Sequence, residues 1–169
     1  MGQAKDRPYL WLFIVLSITG FIADQASKYA VFALLYPEDH QSQVAQNVIP
    51  GTFALLTNWK WERDPGDLPL SFLRTIGGDR LPELNHGALF GIGNARDGSG
   101  GFNSTFLVIS ILAACFVAFW ASRPAIAQDR FLSLALGLIL GGTLGNLYDR
   151  AVFGGVRDFL HFYYGDHIW

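Results

Sequence analysis

Three long apolar runs constrain the fold of this chain more than any other feature. They cover residues 8–36, 102–122 and 131–150. Each has the length of a membrane-spanning helix, for which about 20 mostly apolar residues are needed. In the first run the apolar character resumes beyond Asp24 and Lys28, which favours a retained helix over a cleaved signal peptide. We therefore predict a mainly α fold, a polytopic bundle of membrane helices forming a single domain.

Composition agrees with a membrane setting and removes several classes of function. Only 15% of the 169 residues are charged, whereas soluble domains contain roughly 25%. The net charge of −2 provides no basic surface for nucleic acid, so no nucleic-acid partner is expected. Cys115 is the single cysteine of the sequence, which rules out an internal disulfide and a CxxC redox or metal motif.

Basic residues predict the orientation of the helices. Lys5 and Arg7 precede the first run, and Arg123 and Arg130 flank the loop between the second and third. Because Lys and Arg concentrate in short cytoplasmic segments, the N-terminus and that loop are predicted to be cytoplasmic. Residues 37–101 then lie outside, and the third helix ends at the outer face.

The segment 37–101 is predicted to form a small β-rich platform on the outer face. Its stretch NVIPGTFALLTNWKW combines a Pro-Gly turn with β-favouring residues, which predicts a short strand or hairpin. Residues 62–83 contain further Pro-Gly and Gly-Gly pairs and are predicted to form an extended loop. The later stretch GALFGIG does not fit the GxGxxG pattern, so no dinucleotide cofactor is expected.

Polar residues are concentrated where the third apolar run ends. The stretch GGTLGNLYDRAVFGGVRDF, residues 141–159, contains Asn146, Asp149 and Arg150. Ionisable groups cost roughly 2.5–3.5 kcal/mol each at the centre of a membrane helix, so they are retained with a partner or a function. Asn146 and Asp149 share a helix face, and a polar network at the helix end accounts for at least two of these three residues.

Asp24 and Lys28 are the charged residues of the first run. They are four residues apart and therefore lie on one helix face, where they can form an ion pair. Such a pair explains their presence in an apolar helix without any catalytic role.

Asp158 is the strongest candidate for chemistry. It follows Gly154 and Gly155 and precedes the aromatic stretch FLHFYY, which suits a membrane interface. Two carboxyl groups within a few ångströms cannot both ionise and hold one proton between them. Such a pair can act as base toward water and as acid toward a leaving amine, which is the chemistry of peptide hydrolysis. A solvated interfacial Asp is the alternative interpretation.

A metal site is the competing interpretation of the same region. The stretch DFLHFYYGDH offers oxygen and nitrogen ligands of the kinds that zinc accepts. It lacks the HExxH spacing of helical zinc hydrolases, so no metal is predicted.

Four motifs together resemble one protein family. DQASK in the first helix, NHGALFG in the outer segment, GGTLGNLYDR at the end of the third helix and GGVRDF beyond it resemble the lipoprotein signal peptidases of bacteria, the signal peptidase II family. The resemblance implies an aspartyl endopeptidase of the inner membrane. It would remove signal peptides from diacylglyceryl-modified prolipoproteins among membrane lipids, cutting before the lipidated cysteine. It also implies four membrane helices, of which three are present here, and an outer-face β-cradle.

The resemblance also implies site residues. Asp158 falls on the first Asp of the family's catalytic dyad. The surrounding polar network is expected to contain six residues: Asp149, Asn146, Arg150, Asp24, Lys28 and Asn85. Trp59 and Phe90 of the cradle are expected to contact the lipidated substrate.

This sequence departs from the family pattern at three places. Arg157 stands where the family usually has an aliphatic residue, and residues 62–83 resemble an insertion in the cradle. The family's second catalytic Asp lies in an FNxADS-like motif that the sequence does not contain before it ends at Trp169. We expect a truncated sequence whose second Asp lies beyond Trp169. The remaining possibility is that Asp149 completes the dyad.

Two other functions remain open at this point. One is a catalytically inactive, truncated family member that binds lipidated precursors. The other is a small membrane transport subunit whose charged helix residues line a polar path.

Overall fold

The computed structural model describes residues 7–38, 41–61, 70, 73–74, 80–87, 101–164 and 167–168. Its helices are α1 (Leu10–Leu34), α2 (Gly101–Ala121), α3 (Pro124–Ala127) and α4 (Arg130–Val152). Its strands are β1 (Gln43–Ile49), β2 (Phe53–Lys60), β3 (Leu81–Pro82), β4 (Leu160–Tyr164) and β5 (His167–Ile168). The predicted fold class, a mainly helical chain with a small sheet, is confirmed.

Helices α1, α2 and α4 are long and apolar enough to cross a membrane. Their candidate spans are Leu10–Leu34, Asn103–Ala121 and Arg130–Val152, with mean hydropathies of 1.5, 2.2 and 1.5. Many large apolar side chains on these helices are exposed, among them Leu112 at 63% and Phe116 at 62%. An apolar surface of this kind is stable in lipid and costly in water. The chain is therefore a membrane protein.

One compact unit combines the chain up to Gln25 with Leu107–Tyr148. Its buried core consists of Phe13, Ala114, Ala121, Leu136 and Leu140.

Within this unit α1 and α4 approach closely at glycines. A Cβ atom at Gly137 would lie 2.9 Å from both the Cβ atom of Leu16 and the carbonyl oxygen of Phe13. One turn later, a Cβ atom at Gly141 would lie 3.0 Å from the Cα atom of Gly20. Small residues allow such close backbone packing between membrane helices.

The second compact unit, Ala26–Phe106 with Asp149–Trp169, contains the sheet. The strand order is β1-β2-β4-β5, β3 pairs with β2, and every pair is antiparallel. The turn between β1 and β2 contains the predicted Pro-Gly pair, and Gly51 adopts the left-handed φ of 83° that glycine tolerates. Phe53 of β2 stacks on Phe162 of β4, with ring centroids 4.8 Å apart.

The sheet differs from the prediction in two respects. Strands β4 and β5 follow α4, so the sheet is not confined to residues 37–101. Residues 81–82, assigned to the extended loop, form β3 because they pair with Trp59 and Lys60 of β2. Most of the loop 62–83 and all of residues 88–100, including Phe90, lie outside the described part of the chain.

The end of α1 is tied to β2 by hydrogen bonds. The hydroxyl of Thr57 and the indole N–H of Trp59 both donate to the carbonyl of Leu35, at 2.9 and 3.2 Å. Both side chains are buried, and Trp59 packs edge-on against Phe32 and Tyr36. The expected contact of Trp59 with substrate therefore stays a prediction, and its described partners are those of a core residue.

Candidate active site

The turn after α4 brings two distant segments together. Gly154 has a φ of 91°, a conformation that commonly ends a helix and that other residues rarely adopt. A Cβ atom at Gly155 would lie 2.8 Å from the Cβ atom of Leu84, so only glycine permits this approach. Val156 and Asn85 exchange two backbone hydrogen bonds of 2.9 Å. The NHGALFG and GGVRDF motifs therefore meet at one place.

This pairing places Asn85 against Asp158. Asn85 Nδ2 donates to Asp158 Oδ2 at 2.9 Å. The backbone N–H of Gly87 donates to Asn85 Oδ1 at 3.0 Å, which fixes the orientation of the amide. Asp158 is exposed, so its carboxylate remains open to solvent while the amide holds one of its oxygens.

Asp149 lies at the centre of a buried charge cluster, which we define as Lys28, Asp149 and Arg157. Arg157 donates to Asp149 Oδ1 from Nη2 at 2.7 Å and from Nε at 3.2 Å. Its backbone N–H donates to Oδ2 at 3.0 Å, and Lys28 Nζ lies 3.2 Å from the same oxygen. Asp149 and Arg157 are fully buried, and buried charges are tolerated only when paired in this way.

The Arg157 guanidinium is also held between two aromatic rings. Its Cζ atom lies 4.2 Å from the ring centroid of Tyr29 and 4.0 Å from that of Phe153. A cation over an aromatic face is attracted by the ring quadrupole, most strongly where water is excluded. The residue before Asp158 is thus fixed through its backbone and its side chain.

The charge cluster bears on two of the alternatives left open by the sequence. A carboxylate offers about four lone-pair positions to hydrogen-bond donors. Asp149 already has four donor groups in contact, three N–H groups of Arg157 and the ammonium group of Lys28. Asp149 is therefore poorly suited to share a proton with Asp158. Lys28 and Asp149 also pair with each other while buried, which does not favour the polar path of a transport subunit.

Arg150 connects the end of α4 with the segment that contains Asn85. Its Nη2 donates to the carbonyl of Gly87 at 2.8 Å, and its guanidinium lies over the ring of Phe106. Its positive charge interacts with the carboxylates of both Asp158 and Asp149.

Asn103 Nδ2 donates to the Arg150 carbonyl at 3.3 Å. Sequence reasoning missed Asn103, although a polar residue at the start of an apolar run was a usable signal.

Asp24 and Asn146 belong to the other compact unit. Asp24 Oδ2 accepts a 2.9 Å hydrogen bond from Gln25 Nε2, and Gln25 also donates to the carbonyl of Gly145. Asn146 is exposed. The ion pair expected between Asp24 and Lys28 stays a prediction, and the Lys28–Asp149 pair was not foreseen.

No group of three or more metal-ligating side chains converges within the described ranges. His161, which belonged to the proposed ligand stretch, packs against the ring of Tyr163 with centroids 5.4 Å apart.

Known proteins match this chain in sequence and in fold. The family model for signal peptidase (SPase) II matches residues 81–169. A lipoprotein signal peptidase of Maridesulfovibrio salexigens is 31% identical over 153 residues, which cover 90% of this chain and 78% of the relative. One of Solibacter usitatus is 40% identical over 121 residues, covering 69% and 71%.

The structure of a bacterial membrane enzyme, determined by the in meso method at 2.3 Å resolution, has a similar fold. The TM-score is 0.59 and the identity 21%, with coverage of 88% of this chain and 68% of that one. The fold, the family model and the relatives agree, and the chain belongs to the signal peptidase II family.

Proposed function

We propose that this chain is a membrane aspartyl endopeptidase that removes signal peptides from diacylglyceryl-modified prolipoproteins, cutting before the lipidated cysteine. Membership of the family supports the class of reaction and of substrate. The observation that favours the aspartyl mechanism is the exposed Asp158 carboxylate, held by Asn85 directly after a membrane-spanning helix.

In this mechanism Asp158 is one of two carboxyl groups that share a proton. The ionised carboxylate takes a proton from a water molecule as the water attacks the scissile carbonyl carbon. The protonated acid donates its proton to the carbonyl oxygen, which gives a tetrahedral diol. As the C–N bond breaks, the carboxyl group that took the proton from water gives it to the leaving amine, and the diol returns a proton to the other carboxylate. The Asn85 amide occupies one oxygen of Asp158 and leaves the other for water.

We propose that the second carboxyl group is not Asp149. Asn85 is the hydrogen-bond partner described for Asp158, and Asp149 has its acceptor positions filled within the charge cluster. The polar network would then position the substrate rather than share the proton. Arg150 contributes a positive charge to this network and is held by the carbonyl of Gly87, two residues after Asn85.

We also place the enzyme in the inner membrane, with Asp158 at the outer face. The test is labelling of introduced cysteines, in a Cys115→Ser background, with a thiol reagent that cannot cross the membrane. Gln46→Cys should react from outside the cell, and Ala125→Cys only after the membrane is opened. The reverse pattern would contradict this orientation.

The function is tested by incubating a lipidated precursor with the chain extended by the codons downstream of Trp169. The extended chain should release a product whose new N-terminus is the lipidated cysteine, identified by mass spectrometry. The same precursor without its diacylglyceryl group should not be cut at a comparable rate. Absence of cleavage, or equal cleavage of both precursors, would contradict the proposal.

Binding without cleavage is the second candidate function, for the 169-residue chain alone. Within the described residues the hydrogen-bond partner of Asp158 is an amide rather than a second carboxyl group, and an amide cannot supply the shared proton. The 169-residue chain should then retain the lipidated precursor uncut, and turnover by it would eliminate this candidate.

A further inference from the structure

Arg74 makes an unusual set of contacts with the end of α4. It belongs to the segment between β2 and β3 and lies outside residues 81–169, which the family model matches. Its Nε donates to the carbonyl of Val152 at 2.7 Å, and its Nη2 to the carbonyl of Phe153 at 3.4 Å. Its guanidinium also lies 5.9 Å from the ring centroid of Phe153.

These two carbonyls are positions where a helix needs donors from elsewhere. The last four carbonyl groups of an α-helix have no intrahelical donor, and the helix dipole places partial negative charge there. Val152 is the last residue of α4. The planar guanidinium of Arg74 satisfies two consecutive carbonyls at once, which a lysine ammonium cannot do in the same geometry.

Phe153, whose carbonyl accepts from Arg74, is connected to Asp158 through Arg157. Its ring is one of the two that enclose the Arg157 guanidinium, at 4.0 Å. Arg157 in turn is bound to Asp149 through its backbone N–H and its side chain, and it immediately precedes Asp158. A shift of Phe153 would therefore change the position of Arg157 and, through the backbone, of Asp158.

A simpler role for Arg74 would be to hold the loop to which it belongs, but Arg80 already has that role. Arg80 is buried, donates to the carbonyl of Gln41 and stacks on Trp61 with its Cζ atom 3.8 Å from the ring centroid. These contacts hold the end of the segment beside the sheet. The bonds of Arg74 go instead to the turn that precedes Asp158.

We propose that Arg74 is a positioning residue for Asp158. The inference rests on the proposed catalytic role of Asp158. It assigns a function to a part of this chain that the family model does not match.

The test compares Arg74→Gln, Arg74→Lys and the control Lys60→Gln in the extended chain. Lys60, at the end of β2, forms an exposed ion pair with Glu83 at 3.9 Å. Loss of this pair should leave the turn after α4 unchanged. Arg74→Gln should lower kcat per folded enzyme roughly ten- to hundredfold with KM unchanged, as expected for a small displacement of a reacting group. Arg74→Lys should fall between Arg74→Gln and the wild type, because it keeps the charge but not the two parallel donors.

Amide hydrogen exchange of residues 153–158 gives a readout that does not require activity. Exchange of these amides should be faster in Arg74→Gln than in the wild type, and unchanged in Lys60→Gln. If the wild-type enzyme cleaves nothing, the proposed function fails while exchange still tests the role of Arg74. If Arg74→Gln does not fold, Arg74→Lys is measured in its place. Unchanged kcat and exchange, a change in KM alone, or a loss of activity equal to the loss of folded protein would each overturn the inference.

Discussion

At the scale of single residues, Asp149 and Asp158 are two carboxylates of one motif region that differ in burial and in hydrogen-bond partners. Asp149 is fully buried and receives donors from Lys28 and Arg157 on both oxygens. Asp158 is exposed and is held on one oxygen by Asn85. The first is therefore suited to fixing the turn after α4, and the second to contacting water and substrate.

Asp149→Asn should destabilise the fold strongly. It removes the carboxylate charge that the buried cations Lys28 and Arg157 both contact, and removing one partner of a buried pair costs about 3–5 kcal/mol. The free energy of unfolding in detergent measures the effect. Asp129→Asn is the matched control, since Asp129 caps α4 by accepting from two backbone N–H groups and asparagine caps equally well. Equal stability of the two variants would show that the cluster does not support the turn.

The partners within this site could not be inferred from the sequence. The spacing of Asp24 and Lys28 predicts a pair within α1. The pair that the structure describes for Lys28 is with Asp149, because contacts between helices depend on packing that spacing along one helix does not encode. Arg157 was identified as a departure from the family pattern. Its role as the partner of Asp149 depends on the turn at Gly154 and Gly155, which brings residues eight positions apart together.

At the scale of elements, α4 packs against α1 through closely spaced glycines. Gly137 and Gly141 face Leu16 and Gly20 at distances that leave no room for a Cβ atom without movement. Gly142, on the same helix, faces open space. The contrast separates the glycines that packing requires from those that it does not.

Gly137→Ala should destabilise the unit formed by α1, α2 and α4, whereas Gly142→Ala should not. The added methyl group at residue 137 meets backbone and Cβ atoms at 2.9 Å, and overpacking of this kind costs about 1–3 kcal/mol. At residue 142 alanine should be neutral or stabilising by up to about 1 kcal/mol, because it has the higher helix propensity. Thermal unfolding of both variants in one detergent is the measurement, and equal shifts would contradict the packing described for Gly137.

The elements differ in how far the sequence determines them. The three membrane helices could be predicted, because about 20 apolar residues in lipid leave the backbone no alternative to a helix. Strand β4 could not be, since FLHFYY is equally typical of an interfacial aromatic stretch. This stretch forms a strand because it pairs with the edge of β2 at Phe53, Ala54 and Leu55.

At the scale of the whole molecule, family membership and fold agree with the order of motifs along the chain. The matched region, residues 81–169, includes Asn85, Asp149 and Asp158. Arg74 lies before it and donates to the carbonyls of Val152 and Phe153 in the turn after α4. The resemblance predicts which residues form the site, and that assignment stays a prediction. The contacts in the structure explain how the turn after α4 is held.

The most direct test of the account is the turnover of a lipidated precursor by the extended chain with Asp158→Asn. The asparagine is isosteric with aspartate but cannot accept a proton from water. Turnover should therefore fall by about 10²- to 10⁴-fold, with the free energy of unfolding unchanged within error because Asp158 is exposed. Asp129→Asn should retain wild-type turnover. Cleavage by Asp158→Asn near the wild-type rate would contradict the catalytic role of Asp158, on which the proposed mechanism depends.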